Sequence, residues 1–155
     1  MTYEAAPAVA KASLLIRRPV ADAFSAFTEP ALLTKFWLAR ASDRLVAGAR
    51  VEWEFMVPGA KDTLEVVELV ANQRLVIRWS DATRVEWTFT AVDDSTSVVS
   101  VQHSGFAGTA QEATAMAIES TQGFAIVLCD LKTLLETGTS ANLVRDKARL
   151  IELGV

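Results

Sequence analysis

The chain has 155 residues, of which 51% are hydrophobic and 22% are charged. This length fits one domain, at roughly 100–200 residues per domain, and the apolar content excludes a disordered chain. We therefore predict a single globular domain over residues 1–155. The longest near-continuous apolar stretch, residues 124–129, is much shorter than the roughly 20 residues of a membrane-spanning helix, so we expect no transmembrane segment.

Charge and cysteine content narrow the choice of partner and compartment. The 15 Lys and Arg residues are outnumbered by 19 Asp and Glu residues, which gives a net charge of -4 and a pI near 5.0. Because the basic residues are scattered and not clustered, we expect neither nucleic acid nor a membrane surface as a partner. Cys129 is the single cysteine, and the first twenty residues lack the pattern of a signal peptide. We therefore expect a cytoplasmic protein.

The first third of the chain predicts one strand and two short helices. Residues 9–17 alternate in polarity as a half-buried strand does. Pro19 ends that strand and begins a short amphipathic helix, because proline is favoured at the first helical position. Thr28 is predicted to cap a second helix, since a hydroxyl before Glu29 and Pro30 is typical of a helix start. The apolar side chains of these elements are Ala10, Ala12, Leu14, Ile16, Val20, Ala23, Phe24, Phe27, Leu32, Leu33, Phe36 and Trp37.

Between residues 44 and 106 the hydrophobic period changes to two, interrupted by short clusters rich in Gly, Pro, Asp and Asn. Five or six antiparallel strands fit between these turns. One face of each strand is apolar and the other polar, which predicts a sheet with one buried face. The inward parity falls on Val51, Trp53, Phe55, Val57, Leu75, Ile77, Trp79, Val85, Trp87, Phe89, Ala91, Val99, Val101 and His103.

The helical period returns over residues 109–136, and Gly138 provides a natural end. This long helix must cover the apolar face of the sheet, because a one-sided sheet needs a second layer. Its first half presents mainly small side chains, such as Ala113 and Ala117, which we expect to leave space against the sheet. The tail, residues 140–155, carries enough apolar residues to dock on the body of the protein or on a second subunit.

The order of these elements resembles the helix-grip fold of the START-like SRPBCC superfamily, an α+β fold in which a curved antiparallel sheet wraps around a long C-terminal helix. Residues 17–30, RRPVADAFSAFTEP, look like the opening of that group, and residues 36–37 match its aromatic pair. Residues 74–79 and 123–138 are further matches, with Phe124 in place of the usual Trp. The resemblance is closest to the branch of heat-shock-protein-90 ATPase activator homologues, to which polyketide cyclases are related.

For that group the resemblance implies a deep cavity between sheet and long helix that holds an apolar small molecule, sometimes with catalysis. Our first hypothesis is therefore binding of a small hydrophobic or aromatic ligand without a cofactor. The alternatives are a metal-free cyclase, aromatase or hydrolase that uses His103, and an interaction module that acts on a chaperone ATPase. The predicted ligand-binding side chains are Trp37, Trp53, Phe55, Trp79, Trp87, Phe89, His103, Phe106, Met116, Ser120 and Phe124.

His103 is the only imidazole, and strand parity turns it inwards. It can act there as an acid or base, as a hydrogen-bond donor to a ligand, or as a structural group. No carboxylate that orients it is recognisable nearby, and Ser104 faces the other way, so a Ser-His-Asp relay is not predicted. Cys129 is interpreted as a small hydrophobe. One His and one Cys cannot supply an N/S coordination set, so we expect no metal site.

Two further expectations concern polar groups and assembly. Buried indole N–H groups need acceptors, and the sequence offers few inward-facing ones, which predicts a partly hydrated pocket. The apolar tail and a mean hydropathy of +0.26 favour a homodimer.

Overall fold

The computed structural model describes residues 6–155, so the first five residues of the domain predicted over residues 1–155 lie outside the described part. The elements follow one another in chain order: β1 Ala10–Ile16, α1 Val20–Thr28, α2 Pro30–Phe36, β2 Leu38–Ala41, β3 Arg50–Phe55, β4 Lys61–Val70, β5 Arg74–Trp79, β6 Arg84–Asp93, β7 Thr96–Ser104, α3 Ala110–Thr137 and α4 Leu143–Leu153.

Within residues 6–155 the seven strands form one antiparallel sheet in the order β1-β7-β6-β5-β4-β3-β2. Five of them lie between residues 44 and 106, as the period-two pattern predicts. The edge strand β2 is not predicted, because its four residues are too few to show an alternation. It pairs with β3 through a bulge between Leu38 and Arg40.

The long helix α3 confirms the prediction over residues 109–136 to within a residue at each end. Thr109 caps it: its side chain accepts a hydrogen bond from the Glu112 backbone N–H, and the Glu112 side chain accepts one from the Thr109 backbone N–H. Gly138 ends it in the left-handed conformation, with φ of 85°. With α1 and α2 it covers the apolar face of the sheet, which is the helix-grip architecture.

The start of α2 differs from the prediction that Thr28 caps it. Thr28 is the last residue of α1, and its buried hydroxyl donates to the carbonyls of Phe24 and Ser25 at 3.4 Å. Glu29 alone separates the two helices, with extended backbone, and Pro30 is the first residue of α2. The N-cap position of α2 is therefore occupied by Glu29, and Thr28 cannot cap this helix.

One apolar core joins the sheet to α1, α2 and α3, and its largest fully buried side chains include Trp53, Trp87 and Phe27. Cys129, interpreted from sequence as a small hydrophobe, is exposed. The reason is helical geometry: at about 100° per residue, Leu128 and Leu131 face the core while Cys129 points away from it. The tail forms α4 and docks on the body of the protein, against α3 and α2.

Candidate ligand-binding site

A pocket of about 280 Å³ lies where the middle of α3 passes the ends of several strands, and α4 forms its outer wall. Ligand pockets generally measure roughly 300–1,000 Å³, so this one lies at the small end and has room for a small molecule only. Its surface is mostly apolar. The lining side chains are Trp37, Phe55, Met56, Val57, Trp79, His103, Ser120, Gly123, Phe124, Ile126, Val127, Val144, Lys147, Ala148 and Ile151.

Six of the eleven side chains predicted to bind ligand lie together in this wall. The six are Trp37, Phe55, Trp79, His103, Ser120 and Phe124. Trp53, Trp87 and Phe89 instead lie in the packed core. Strand parity turned Trp53, Trp79 and Trp87 inwards alike, but it does not distinguish the filled part of the interior from the part beside the pocket.

The remaining two predicted residues lie outside the pocket wall. The Phe106 ring packs on the imidazole of His103, with 4.5 Å between ring centroids. Met116 is 39% exposed and precedes the part of α3 that lines the pocket. Ala113 and Ala117, expected to leave space against the sheet, are likewise absent from the wall, which begins at Ser120.

Sequence reasoning did not find the contribution of α4 to the site. The tail, which the sequence predicts only to dock on the body or on a second subunit, contributes four residues to the wall: Val144, Lys147, Ala148 and Ile151. Their spacing of three or four residues is the signal of one helical face, and it was available in the sequence. What it could not reveal is the surface against which that face packs.

Trp37 is the centre of the aromatic cluster beside the pocket. Its ring lies 5.0 Å from that of Trp53, 6.1 Å from Trp87 and 5.9 Å from Phe124, measured between centroids. The edge-to-face contacts with Trp53 and Phe124 follow the quadrupole preference of aromatic rings. The wall is therefore backed by packed rings that hold its shape.

Two buried indole groups lack hydrogen-bond partners among residues 6–155: Trp53 Nε1 and Trp87 Nε1. Their neighbours are largely aromatic rings, whose faces accept only weak hydrogen bonds. Both indoles lie in the packed core and outside the pocket wall, so the partly hydrated pocket predicted from them stays a prediction. An unpaired buried donor costs roughly 1–3 kcal/mol, so these indoles are retained at some expense in stability.

The polar part of the pocket is a chain of side chains from three elements. His103 Nδ1 lies 2.7 Å from Ser120 Oγ, and His103 Nε2 lies 2.8 Å from Thr83 Oγ1. The Thr83 hydroxyl in turn donates to Asp81 Oδ1 at 2.6 Å. The carboxylate that sequence reasoning found missing is therefore present, but it acts on His103 through Thr83 and comes from the β5–β6 turn.

The β5–β6 turn contains a residue in the unfavourable left-handed backbone conformation. Asp81 Oδ1 also accepts the backbone N–H of Thr83 at 2.9 Å, and Ala82 between them has φ of 69°. A left-handed conformation costs a residue with a Cβ roughly 1–3 kcal/mol, and it persists only where the surroundings impose it. The hairpin thereby fixes the Thr83 hydroxyl against the imidazole.

Burial lowers the pKa of His103 below its ordinary value of 6.5, and the nearby negative charge of Asp81 opposes that shift only in part. The unfolded chain therefore takes up a proton that the folded protein resists. We expect the contribution of His103 to stability to be complete above pH 6.5 and to be lost as the pH falls towards the lowered pKa.

Urea denaturation of wild type and His103→Gln between pH 8 and pH 5 checks this expectation. The difference between the two proteins isolates His103, because Asp93 and Glu136, whose pKa values are also lowered, are present in both. Parallel curves for the two proteins across this range would contradict the expectation.

The α4 wall is attached to α3 by a buried carboxylate. Asp130 has no exposed surface, and it accepts hydrogen bonds from Ser140 Oγ at 2.7 Å and from the Val144 backbone N–H at 3.2 Å. The second bond caps the first turn of α4, whose own cap residue, Asn142, makes no side-chain bond. A negative group at a helix N-terminus is favourable, so α3 both positions and caps α4.

Two findings on the described residues concern membranes and metals. No helix within residues 6–155 has the length and apolar character needed to cross a bilayer. The same part of the chain brings together no group of three or more His, Cys, Asp and Glu side chains suited to hold a metal ion.

Fold and sequence together place the protein in the SRPBCC class of helix-grip proteins. Residues 17–136 match the family model described as "Activator of Hsp90 ATPase homolog 1-like protein". The chain belongs to this family. No curated protein sequence matches it significantly.

Solved structures with the same fold share little sequence with this chain. Protein SSP2350 from Staphylococcus saprophyticus is 20% identical with a TM-score of 0.75, over 85% of this chain and 94% of that one. Aha1 from Colwellia psychrerythraea, a dimer in solution, is 20% identical with a TM-score of 0.73, over 84% and 97%. The di-domain ARO/CYC protein BexL of the BE-7585A biosynthetic pathway is 16% identical with a TM-score of 0.67. The match to BexL covers 83% of this chain and 46% of that one.

Proposed function

We propose that this protein binds a small hydrophobic or aromatic molecule in the pocket between α3, α4 and the strand ends. The observation that carries the proposal is the lining: mainly aromatic and aliphatic side chains surround about 280 Å³, with His103 and Ser120 as one polar spot and Lys147 of α4 as the only charged side chain of the wall. An apolar pocket with a few convergent polar groups is the usual form of a small-molecule site. The likeness of this chain to the fold of the ARO/CYC protein BexL supports the same proposal.

Gly123 independently supports the proposal that this pocket binds a ligand. This glycine lies in the interior of α3 and lines the pocket, and a Cβ built on it would meet no atom within 4 Å. Neither close packing nor a left-handed backbone requires a glycine here. A glycine inside a helix costs roughly 0.5–1 kcal/mol relative to alanine, so its effect at this position is to keep space in the pocket at the expense of helix stability.

Native mass spectrometry of the purified protein, followed by denaturing extraction, tests the proposal. We expect added mass that corresponds to a bound small molecule, which extraction then releases for identification.

The same spectrum reports on self-association, which we also propose for this protein. Self-association is supported by the exposed apolar side chains of α4, such as Leu150 and Ile151, and by the dimeric structure of Aha1.

Gly123→Leu is the variant that should remove binding. The new side chain occupies space that a ligand would fill, and a steric cost of roughly 1–3 kcal/mol corresponds to a loss of affinity of about 5- to 150-fold. Tryptophan fluorescence provides the readout, because Trp37 and Trp79 line the pocket. Ala125→Leu, at an exposed position of the same helix, is the matched control and should bind as wild type does. Equal affinity of both variants would argue against this pocket as the binding site.

A further inference from the structure

Ser120 behaves differently from the other hydroxyl residues of α3. Thr114, Thr121, Thr133 and Thr137 each donate to the carbonyl four residues earlier, which is the common arrangement in a helix. The Ser120 hydroxyl instead lies 2.7 Å from His103 Nδ1, on the wall of the pocket. Its hydrogen-bonding capacity is therefore directed to the site and not to its own helix.

The protons along this chain have only one consistent arrangement. Asp81 is a carboxylate and can only accept, so the Thr83 hydroxyl proton points at it. Thr83 Oγ1 then has only lone pairs to offer His103, which requires the hydrogen of the neutral imidazole to be on Nε2. His103 Nδ1 is left as an acceptor, and Ser120 Oγ must donate its proton to it.

A serine whose proton is committed in this way can only accept from a ligand. The pocket thus offers lone pairs at Ser120 Oγ, and apart from His103 and Lys147 the rest of its wall is aromatic and aliphatic. We propose that the pocket selects an aromatic molecule that carries a hydroxyl group, such as a phenol, whose O–H donates to Ser120 Oγ. This inference rests on the proposed function and specifies the class of ligand.

Acyl transfer through Ser120 fits the structure less well. Stabilising an oxyanion needs free N–H donors beside the nucleophile, and Ser120 lies in the interior of α3, where backbone N–H groups bond to carbonyls one turn earlier. The chain from Asp81 to Ser120 is suited to accept a hydrogen bond. Thr83 lies outside the pocket wall and is a positioning residue, since it determines which nitrogen of His103 carries the proton.

Binding of three matched probes tests the inference: 2-naphthol, its methyl ether and naphthalene. Calorimetric titration of wild type should show 2-naphthol binding roughly 3- to 10-fold more tightly than either of the others, the usual net effect of one hydrogen bond. In Thr83→Val the acceptor for Nε2–H is removed, so the imidazole proton can move to Nδ1 and donate to Ser120. That variant should lose the preference for 2-naphthol, and Thr83→Ser should keep it.

The tautomer of His103 can be measured directly, because it is the only histidine of the chain. Nitrogen-15 NMR should show the Nε2–H form in wild type and Thr83→Ser, and population of the Nδ1–H form in Thr83→Val. This readout would not change if Thr83 served packing alone.

Four results would overturn the inference. Equal affinity of wild type for the three probes would remove the hydroxyl selectivity and leave the proposed function in place. An unchanged preference in Thr83→Val, or the Nδ1–H form in wild type, would refute the orientation of the chain. Binding of none of the probes to wild type would count against this ligand class and the proposed pocket together.

Discussion

Replacing Trp87 with alanine should lower the free energy of unfolding by roughly 3–5 kcal/mol, the usual cost of deleting a large aromatic side chain from a core. Trp87 is fully buried, and its ring centroid lies 5.5 Å from Phe27, 6.1 Å from Trp37 and 6.0 Å from Phe124. Removing it opens a cavity between the sheet and the helices that these neighbours cannot fill without moving. For a domain of this size each kcal/mol corresponds to about 2–4 °C in Tm. Urea denaturation followed by circular dichroism gives the value.

Trp87→Phe is the matched control for this prediction. It keeps most of the packing and removes Nε1–H, which has no hydrogen-bond partner among the described residues. Relief of that unpaired donor offsets part of the lost contact, so we expect a cost well below that of the alanine variant. If Trp87→Phe were as destabilising as Trp87→Ala, the indole N–H would have to be bonded, and the description of this part of the core would be wrong.

Replacing Asp130 with alanine should release α4 and, with it, the outer wall of the pocket. The hydrogen bonds of the buried carboxylate to Ser140 and to the Val144 N–H disappear, and a bond to a charged group contributes roughly 1.5–3 kcal/mol. The loss should appear as local opening of α4 at little cost to the sheet, because among the described elements α4 packs mainly against α3 and α2. Hydrogen exchange of residues 143–153 measures the opening.

Ligand affinity should fall in the same variant, since Val144, Ala148 and Ile151 then no longer close the pocket. Ser140→Ala is the matched control: it removes one of the two bonds, leaves the cap on Val144 and should have an intermediate effect. Asp130→Ala with wild-type exchange rates in α4 would show that the apolar contacts of this helix suffice to hold it.

Much of the fold follows from local patterns in the sequence. Helix α3 was predicted almost to the residue, because Thr109, Gly138 and the apolar stripe between them are local signals for the start, the end and the buried face. Strand parity likewise turned Trp53, Trp79 and Trp87 inwards. The short strand β2 and the cap of α2 were missed or misplaced, since four residues show no period and Glu29 serves as the junction of two helices.

The candidate site was predicted less completely, for a reason visible in its residues. Parity assigns a side chain to the interior, but whether it lines free space depends on what packs opposite. Trp79 borders the pocket, whereas Trp53 is enclosed, and both have the same alternating sequence signature. Met116, predicted to bind ligand, is 39% exposed, and no local pattern encodes that exposure.

The sequence by itself determined the elements, the buried face of each strand and the resemblance to a helix-grip family, because these depend on neighbours within a few residues. Only the tertiary structure decided where space remains, which helix face closes it and what His103 contacts. Ser120 and Thr83 are separated from His103 by 17 and 20 residues, and Val144 is 14 residues from Asp130. Contacts across such distances are set by the packing of whole elements, and that packing is what forms the pocket and its polar chain.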